Sequence, residues 1–434
     1  MAQSTPPNPP LPPITKGLEF EFALLWRFDS DDRGGKVEFP VEGNTGIHNG
    51  YIVVARDKLP EYESNWIEYL DGLKAARRGV YELLSKNGVD VHEPDYEKEE
   101  RDLVFPVDPS LRWSMNTVNP RYHRWNVVPE TMVDKFRLDQ LDLKGTPFHA
   151  VDVELTSPAM TNGKEADDEI VRVVKLITDN LVYFVHEKCG FHVHVGQGPT
   201  MWAMEHLRKM AAVCYAMEIW FDDLHPEHRR TNDEFCPSLF KKSRLSQGMK
   251  GELANDYARR GVTPLFVDFP SMGPNPKVTL QEAWKELNDA GTAQAIHNLL
   301  PWPCAYNLTH VGGEAKGTVE FRQAAGTMNE VWAVHWSNLV CGLIDWARRA
   351  TDDEVSELLL NGELVQAGAK KTYTVDDLIR KTLNLPEIAD YIKGTTPDER
   401  ATPRVTGQQA EWRKDENFEY DLIGPNMKPR ANWP

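Results

Sequence analysis

Four short segments of this chain alternate apolar and polar residues with the period of a β-strand, and all four put titratable groups on the polar side. In Leu18-Glu-Phe-Glu-Phe22, Glu19 and Glu21 share one face. Asp152 and Glu154 do so in Val151-Asp-Val-Glu-Leu155, His192 and His194 in Phe191-His-Val-His-Val195, and Glu320 and Arg322 in Thr318-Val-Glu-Phe-Arg322. A fifth segment, Tyr306-Asn-Leu-Thr309, puts Asn307 and Thr309 on one side. One face of such a sheet would pack on helices while the other carried the charges.

A solvated sheet face ordinarily mixes Lys, Thr, Ser and opposite charges. Here carboxylates would face carboxylates across neighbouring strands, which destabilises, so something cationic is expected between them. Side chains two apart on a strand start about 6.6 Å apart, a span from which two carboxylates can each reach one of two metal ions about 4 Å apart. Several carboxylates with one or two imidazoles suit Mg²⁺ or Mn²⁺, whereas structural zinc would want more Cys and His. Asp152 stands evenly between ligand and solvated residue. Cys189 precedes Gly190 at a helix-to-strand turn, the place of a buried structural thiol rather than a zinc ligand.

The segments are interleaved with amphipathic stretches. Apolar spacing predicts helices over about 60–86, 166–187, 199–224 and 329–349, as scaffold rather than chemistry. Six prolines in residues 1–15 predict an extended or disordered tail, so the catalytic domain is expected over 16–350. Within it, 226–303 is rich in Pro, Gly and charge and reads as a loop-rich insertion. A C-terminal extension, 351–434, is expected to be partly helical, with a capping box at Thr374-Val-Asp-Asp377, and peripheral or disordered from about Gly394.

With 49 Lys and Arg against 66 Asp and Glu, the formal charge of −17 argues against nucleic acid as a partner. No apolar run of about 18 residues suggests a membrane span, and no basic-then-apolar leader opens the sequence. Five scattered cysteines fit reduced thiols, so a soluble, cytoplasmic protein is expected.

Taken in order, Gly17-Leu-Glu-Phe-Glu21, Val153-Glu-Leu-Thr-Ser-Pro158, Cys189-Gly-Phe-His-Val-His-Val-Gly196 and Thr318-Val-Glu-Phe-Arg-Gln323 with Gly326-Thr327 resemble the amidoligases, relatives of the glutamine synthetase and glutamate-cysteine ligase superfamily. The resemblance covers about residues 16–350. It implies an α+β fold, a glutamine synthetase-like catalytic domain whose curved antiparallel sheet forms an open funnel with helices outside. It also implies an ATP- and Mg²⁺- or Mn²⁺-dependent ligase that joins a small-molecule or peptide carboxylate to an amine through an acyl phosphate. By the same resemblance Glu19, Glu21, Glu154, His192 and Glu320 are metal ligands. His194 and Arg322 meet the nucleotide phosphates and the transferred γ-phosphoryl group, Asn307 joins them in binding the cofactor, and Glu320 also counts with the catalytic residues. Phosphoryl transfer needs positioning and charge neutralisation more than a nucleophilic side chain, which agrees with this set.

Two departures stand out. Trp125-Asn-Val-Val-Pro-Glu-Thr131 replaces a Trp-x-Val-x-x-Asp-x-Ser stretch, leaving Glu130 and Thr131 without a clear role, and a second carboxylate after Glu154 has no evident counterpart unless Asp152 supplies it. Arg229, Arg230 and the helix start after Gly326-Thr327 are weaker anion-binding candidates. Trp26, Trp113 and Trp125 read as packing residues. No Gly-x-x-x-x-Gly-Lys-Ser/Thr occurs, which excludes a Walker-type NTPase. A guanidino-kinase-like phosphotransferase, a metal-dependent hydrolase and a catalytically inactive binding protein are the competing functions.

Overall fold

The structure, a computed structural model, describes residues 10–29, 45–48, 50–56, 65–94, 122–129, 148–185, 188–231, 236–262, 264, 278–301, 304–311, 317–368, 373–401, 411–414 and 420–423; side chains are described only through residue 401, and not for 65–71. Residues 1–9, Trp113, Glu130 and Thr131, all subjects of the sequence reading, lie outside the described residues.

One long strand organises the molecule. β1 (Thr15–Phe28) sets Leu18, Phe20, Phe22, Leu24, Trp26 and Phe28 into the main core. The other strands are β2 (Thr45–His48), β3 (Tyr51–Val54), β4 (Asn126–Val128), β5 (His149–Thr156), β6 (Met160–Thr161), β7 (Tyr183–Phe184), β8 (Phe191–Gly196), β9 (Tyr306–Asn307) and β10 (Val319–Phe321). They form one open sheet of mostly antiparallel pairs. From β1 it extends through β8 and β10 to β9, and separately through β5 to β4; β3 joins β1 in parallel near its C-terminal end. The expected mixture of α and β is therefore present, as an unclosed sheet with helices on its apolar face.

The helices Asn65–Lys86, Lys164–Asn180, Met204–Ala216 and Glu330–Arg349 supply that apolar layer. Lys16, wholly buried on the core side of β1, donates to Asp167 at 2.6 Å and to Asn338 at 2.8 Å, tying the strand to two of these helices. A buried ammonium is tolerable only when paired in this way.

Several boundaries differ from expectation. The helix predicted over 166–187 stops at Asn180, because Leu181 turns extended and Tyr183–Phe184 pairs with Ala23–Leu24 of β1. The one predicted over 199–224 breaks at Met217. The segment 226–303 is not loop-rich throughout: it carries helices at Leu239–Lys242, Gly251–Arg259, Leu280–Asp289 and Ala293–Leu299, three of them opened by the caps Ser238, Thr279 and Thr292. At the N-terminus residues before 15 already pack on the domain, since the Pro12 carbonyl accepts from Arg348 at 2.8 Å and Ile14 is buried.

Beyond residue 350 the core continues. Leu358, Leu359, Leu378, Ile379 and Ile388 belong to it, and the Thr374 to Asp377 capping box forms as expected. The tail predicted from Gly394 is docked as far as Ala401: Arg400 is buried, donates to the carbonyls of Leu224 and Thr395, and lies over the Trp332 ring at 5.3 Å. Strands Glu411–Lys414 and Tyr420–Ile423 pair with each other. Among the described residues no helix is long and apolar enough to cross a membrane.

Candidate metal and anion site

Cross-strand register collects the titratable residues. Glu19 lies opposite His192, Glu21 opposite Glu154, His194 opposite Glu320, and Glu320 opposite Asn307. Directly opposed residues share a face, so residues more than 280 positions apart in sequence line one side of five adjacent strands. β1 is the pivot, since it pairs with β5 on one edge and β8 on the other.

Glu19 bridges the two imidazoles: one carboxylate oxygen is 3.2 Å from His192 Nδ1 and the other 2.9 Å from His194 Nε2. The second ring nitrogen of His194 meets the Thr318 hydroxyl at 3.1 Å, an outer contact of the kind that orients a ligating histidine. His192 Nε2 is 3.5 Å from Glu21, whose other oxygen accepts the Gly190 backbone N–H at 2.5 Å. Glu320 carries several partners. Arg322 pairs with Oε1, the Asn307 amide donates to Oε2 at 2.8 Å, and His310 Nε2 lies 3.6 Å from the same oxygen. Burial alone would push the Glu320 carboxyl up; the charges of His194, Arg322 and His192 outweigh it and hold the group well below the usual carboxylate range.

Glu19, His194 and Glu320 each turn a ligand atom to a common point, and these atoms all lie within 4.8 Å of one another. Ligands on opposite sides of a Mg²⁺ ion at about 2.1 Å each would be about 4.2 Å apart. The triangle therefore fits one hard divalent cation with little movement. Its imidazole is that of His194, whereas the sequence reading gave the metal to His192 and the phosphates to His194. His192 instead sits between Glu19, Glu21 and Glu320. Glu21, on β1 with Glu19, and Glu154, paired with it in register on β5, lie on the same face beside this triangle. Asp152 is drawn away from them, to Arg77 at 3.0 Å at the sheet margin.

The weaker candidates resolve differently. Arg229 is buried and donates to the Arg322 carbonyl at 2.8 Å, so it holds the strand end that carries Arg322. Arg230 is exposed. The helix start after Thr327 is capped by the Asn329 side chain, which accepts from the Val331 and Trp332 N–H groups. Trp26 and Trp125 are buried packing residues and Cys189 is buried. Sequence reasoning missed His310, which sits in a single helical turn, Thr309–Val311, without any periodic signal.

It also missed Gly190. A Cβ there would come within 2.4 Å of His192 Nε2 and 3.0 Å of the Arg229 guanidinium, so only glycine lets this backbone pass close enough to donate to Glu21. Gly190→Ala should displace the His192 ring. It is expected to cost about 1–3 kcal/mol of stability, as overpacking generally does, and to weaken Mn²⁺ binding measured by calorimetry. Unchanged Mn²⁺ affinity in a folded variant would detach Gly190 and His192 from metal binding.

A family profile described as "Putative amidoligase enzyme" matches residues 86–260. That stretch holds Glu154, His192 and His194, and the match bears out the resemblance to the amidoligases. Glu19, Glu21, Asn307 and Glu320 fall outside it and join those three through the sheet register, and Arg322, also outside it, joins through its ion pair with Glu320. The family is one of ligase-type enzymes by its description. No curated protein matches the sequence.

Proposed function

We propose that this protein is an ATP- and Mg²⁺- or Mn²⁺-dependent ligase that activates a carboxylate as an acyl phosphate and joins it to an amine, on a glutamine synthetase-like fold. The observation that carries the reading is the Glu19, His194 and Glu320 triangle with Arg322 paired to Glu320, in a chain that matches an amidoligase profile. Glu19, His194 and Glu320 would hold one divalent cation, with Glu21, Glu154 and His192 available to a second. Such ions neutralise and orient the phosphates of a bound nucleotide.

The chain's own part is to fix geometry. Glu320 and Asn307 lie on adjacent strands, so a bound ion would meet groups positioned by sheet register rather than by a loop. Arg322, at the end of β10, brings a planar guanidinium to the mouth of the site, where it can meet charge on a phosphoryl group in transfer. The substrate carboxylate would attack the γ-phosphorus and release ADP. The amine would then attack the acyl carbon, expelling phosphate and losing a proton.

A trapping experiment tests this. Mg-ATP, a pool of amino acids and other carboxylates, and hydroxylamine are incubated with the protein. A hydroxamate should form in step with ADP, because hydroxylamine takes the place of the amine at the acyl carbon. ADP formed with a stable phosphorylated compound and no hydroxamate would make the protein a kinase. Hydrolysis of substrates without ATP would make it a metallohydrolase.

A further inference from the structure

His310 is a fixed residue, not a free-moving surface histidine. Asn307 at the end of β9 accepts the Thr309 N–H at 2.9 Å through its side chain and so starts the turn that carries His310. At the other side the His310 carbonyl accepts the Gly317 N–H at 2.9 Å, and the Gly317 carbonyl in turn accepts the Trp202 indole N–H at 2.8 Å. Leu308 and Val311, on either side of His310, are wholly buried. Between these anchors the ring is held 3.6 Å from Glu320 and with its centroid 6.1 Å from that of His194.

Exposure separates the inner groups from the outer ones. Glu320, His192 and His194 have side chains 3%, 5% and 8% exposed, while Arg322 and His310 are 27% and 28% exposed. Two N–H donors of the outer groups therefore flank Glu320, Arg322 on one oxygen and His310 toward the other. A cation held by Glu320 from inside would leave these two, among the described residues, as donors beside it for an arriving anion.

We infer that His310 is a second anion contact of the site, acting with Arg322 on the phosphate-bearing end of a nucleotide. The inference rests on the nucleotide reading above and adds to it a residue that lies outside the matched motifs. One imidazole donating to a phosphate oxygen is a charge-assisted hydrogen bond, so its loss should be visible as affinity for phosphate and not for the nucleoside.

The test uses the full chain, with Mn²⁺, ADP and adenosine as probes in calorimetry. His310→Ala should leave the Mn²⁺ affinity within about twofold and weaken ADP binding at saturating Mn²⁺ by roughly tenfold, the scale of one hydrogen bond to a charged group. Any adenosine affinity should not change. His310→Gln, which keeps a donor of similar reach, should recover part of the loss. If ADP binds His310→Ala as tightly as the parent, His310 is only a charge partner of Glu320 and the inference is overturned. A loss of Mn²⁺ affinity equal to the loss of ADP affinity would overturn it too, since His310 would then support the metal. A parent protein that binds Mn²⁺ but not ADP would bring down the nucleotide reading and this inference with it, whereas the first two results would leave that reading standing.

Discussion

Replacing Glu21 or Glu320 by glutamine is expected to leave a folded protein whose melting temperature no longer rises when Mg²⁺ and ATP are added together. A ligand at a hundred times its Kd stabilises the native state by about 2.7 kcal/mol, which for a domain of this size is a rise of a few degrees. Each substitution keeps shape and removes one negative charge from the ligand set, so that contribution should vanish. The two variants should differ without ligand, which guards against mistaking damage for loss of binding. Glu21 faces Glu154 across the strands, and like charges so opposed repel, so Glu21→Gln should hold or raise the unliganded melting temperature. Glu320 is the partner of Arg322 and lies near His194 and His192. Removing one member of a buried charged group leaves the others uncompensated, so Glu320→Gln should lower it. Thermal denaturation with and without Mg-ATP reads both effects. A parent-sized ligand shift in both variants would sink the assignment of these carboxylates to metal.

What could be read before the structure followed from periodicity. Alternation placed Glu19, Glu21, Glu154, His192, His194, Glu320 and Arg322 on one kind of strand face because the strand period is exact over five residues and leaves no choice of side. Which of them meet depended on register, and register depends on tertiary pairing that no single segment encodes. His192 and His194 show this: both share the face and both meet Glu19, and only the offset between β1 and β8 decides that it is His194 that groups with Glu19 and Glu320. The helix predicted to run to 187 failed for a related reason. Leu181 and Phe184 continue the apolar stripe, yet an open edge of β1 was available to Tyr183 and Phe184, and strand pairing won over helical spacing. The helices described inside 226–303 are at most ten residues long, too short to stand without packing. His310 gave no signal because a single turn has no period to detect.

Arg322→Lys should separate chemistry from binding. The Arg322 guanidinium pairs with Glu320 and is three-quarters buried at the mouth of the site, with its backbone carbonyl held by the buried Arg229. A planar fork in a fixed position can donate two parallel hydrogen bonds to oxygens of a phosphoryl group, whereas lysine offers a flexible point charge. The net charge is the same in both, so ground-state attraction for a bound nucleotide should change little. The loss should appear where charge is being redistributed, in the transition state. Removing a single pre-placed donor of this kind typically costs about 10²–10³ in turnover. Once a carboxylate substrate has been found through the hydroxamate trap, Arg322→Lys is therefore expected to lower kcat by roughly that factor while leaving the KM for ATP within about threefold. Steady-state kinetics at saturating carboxylate would show it. An equal fall in ATP affinity and turnover would make Arg322 a binding residue, and unchanged turnover would remove it from phosphoryl transfer altogether.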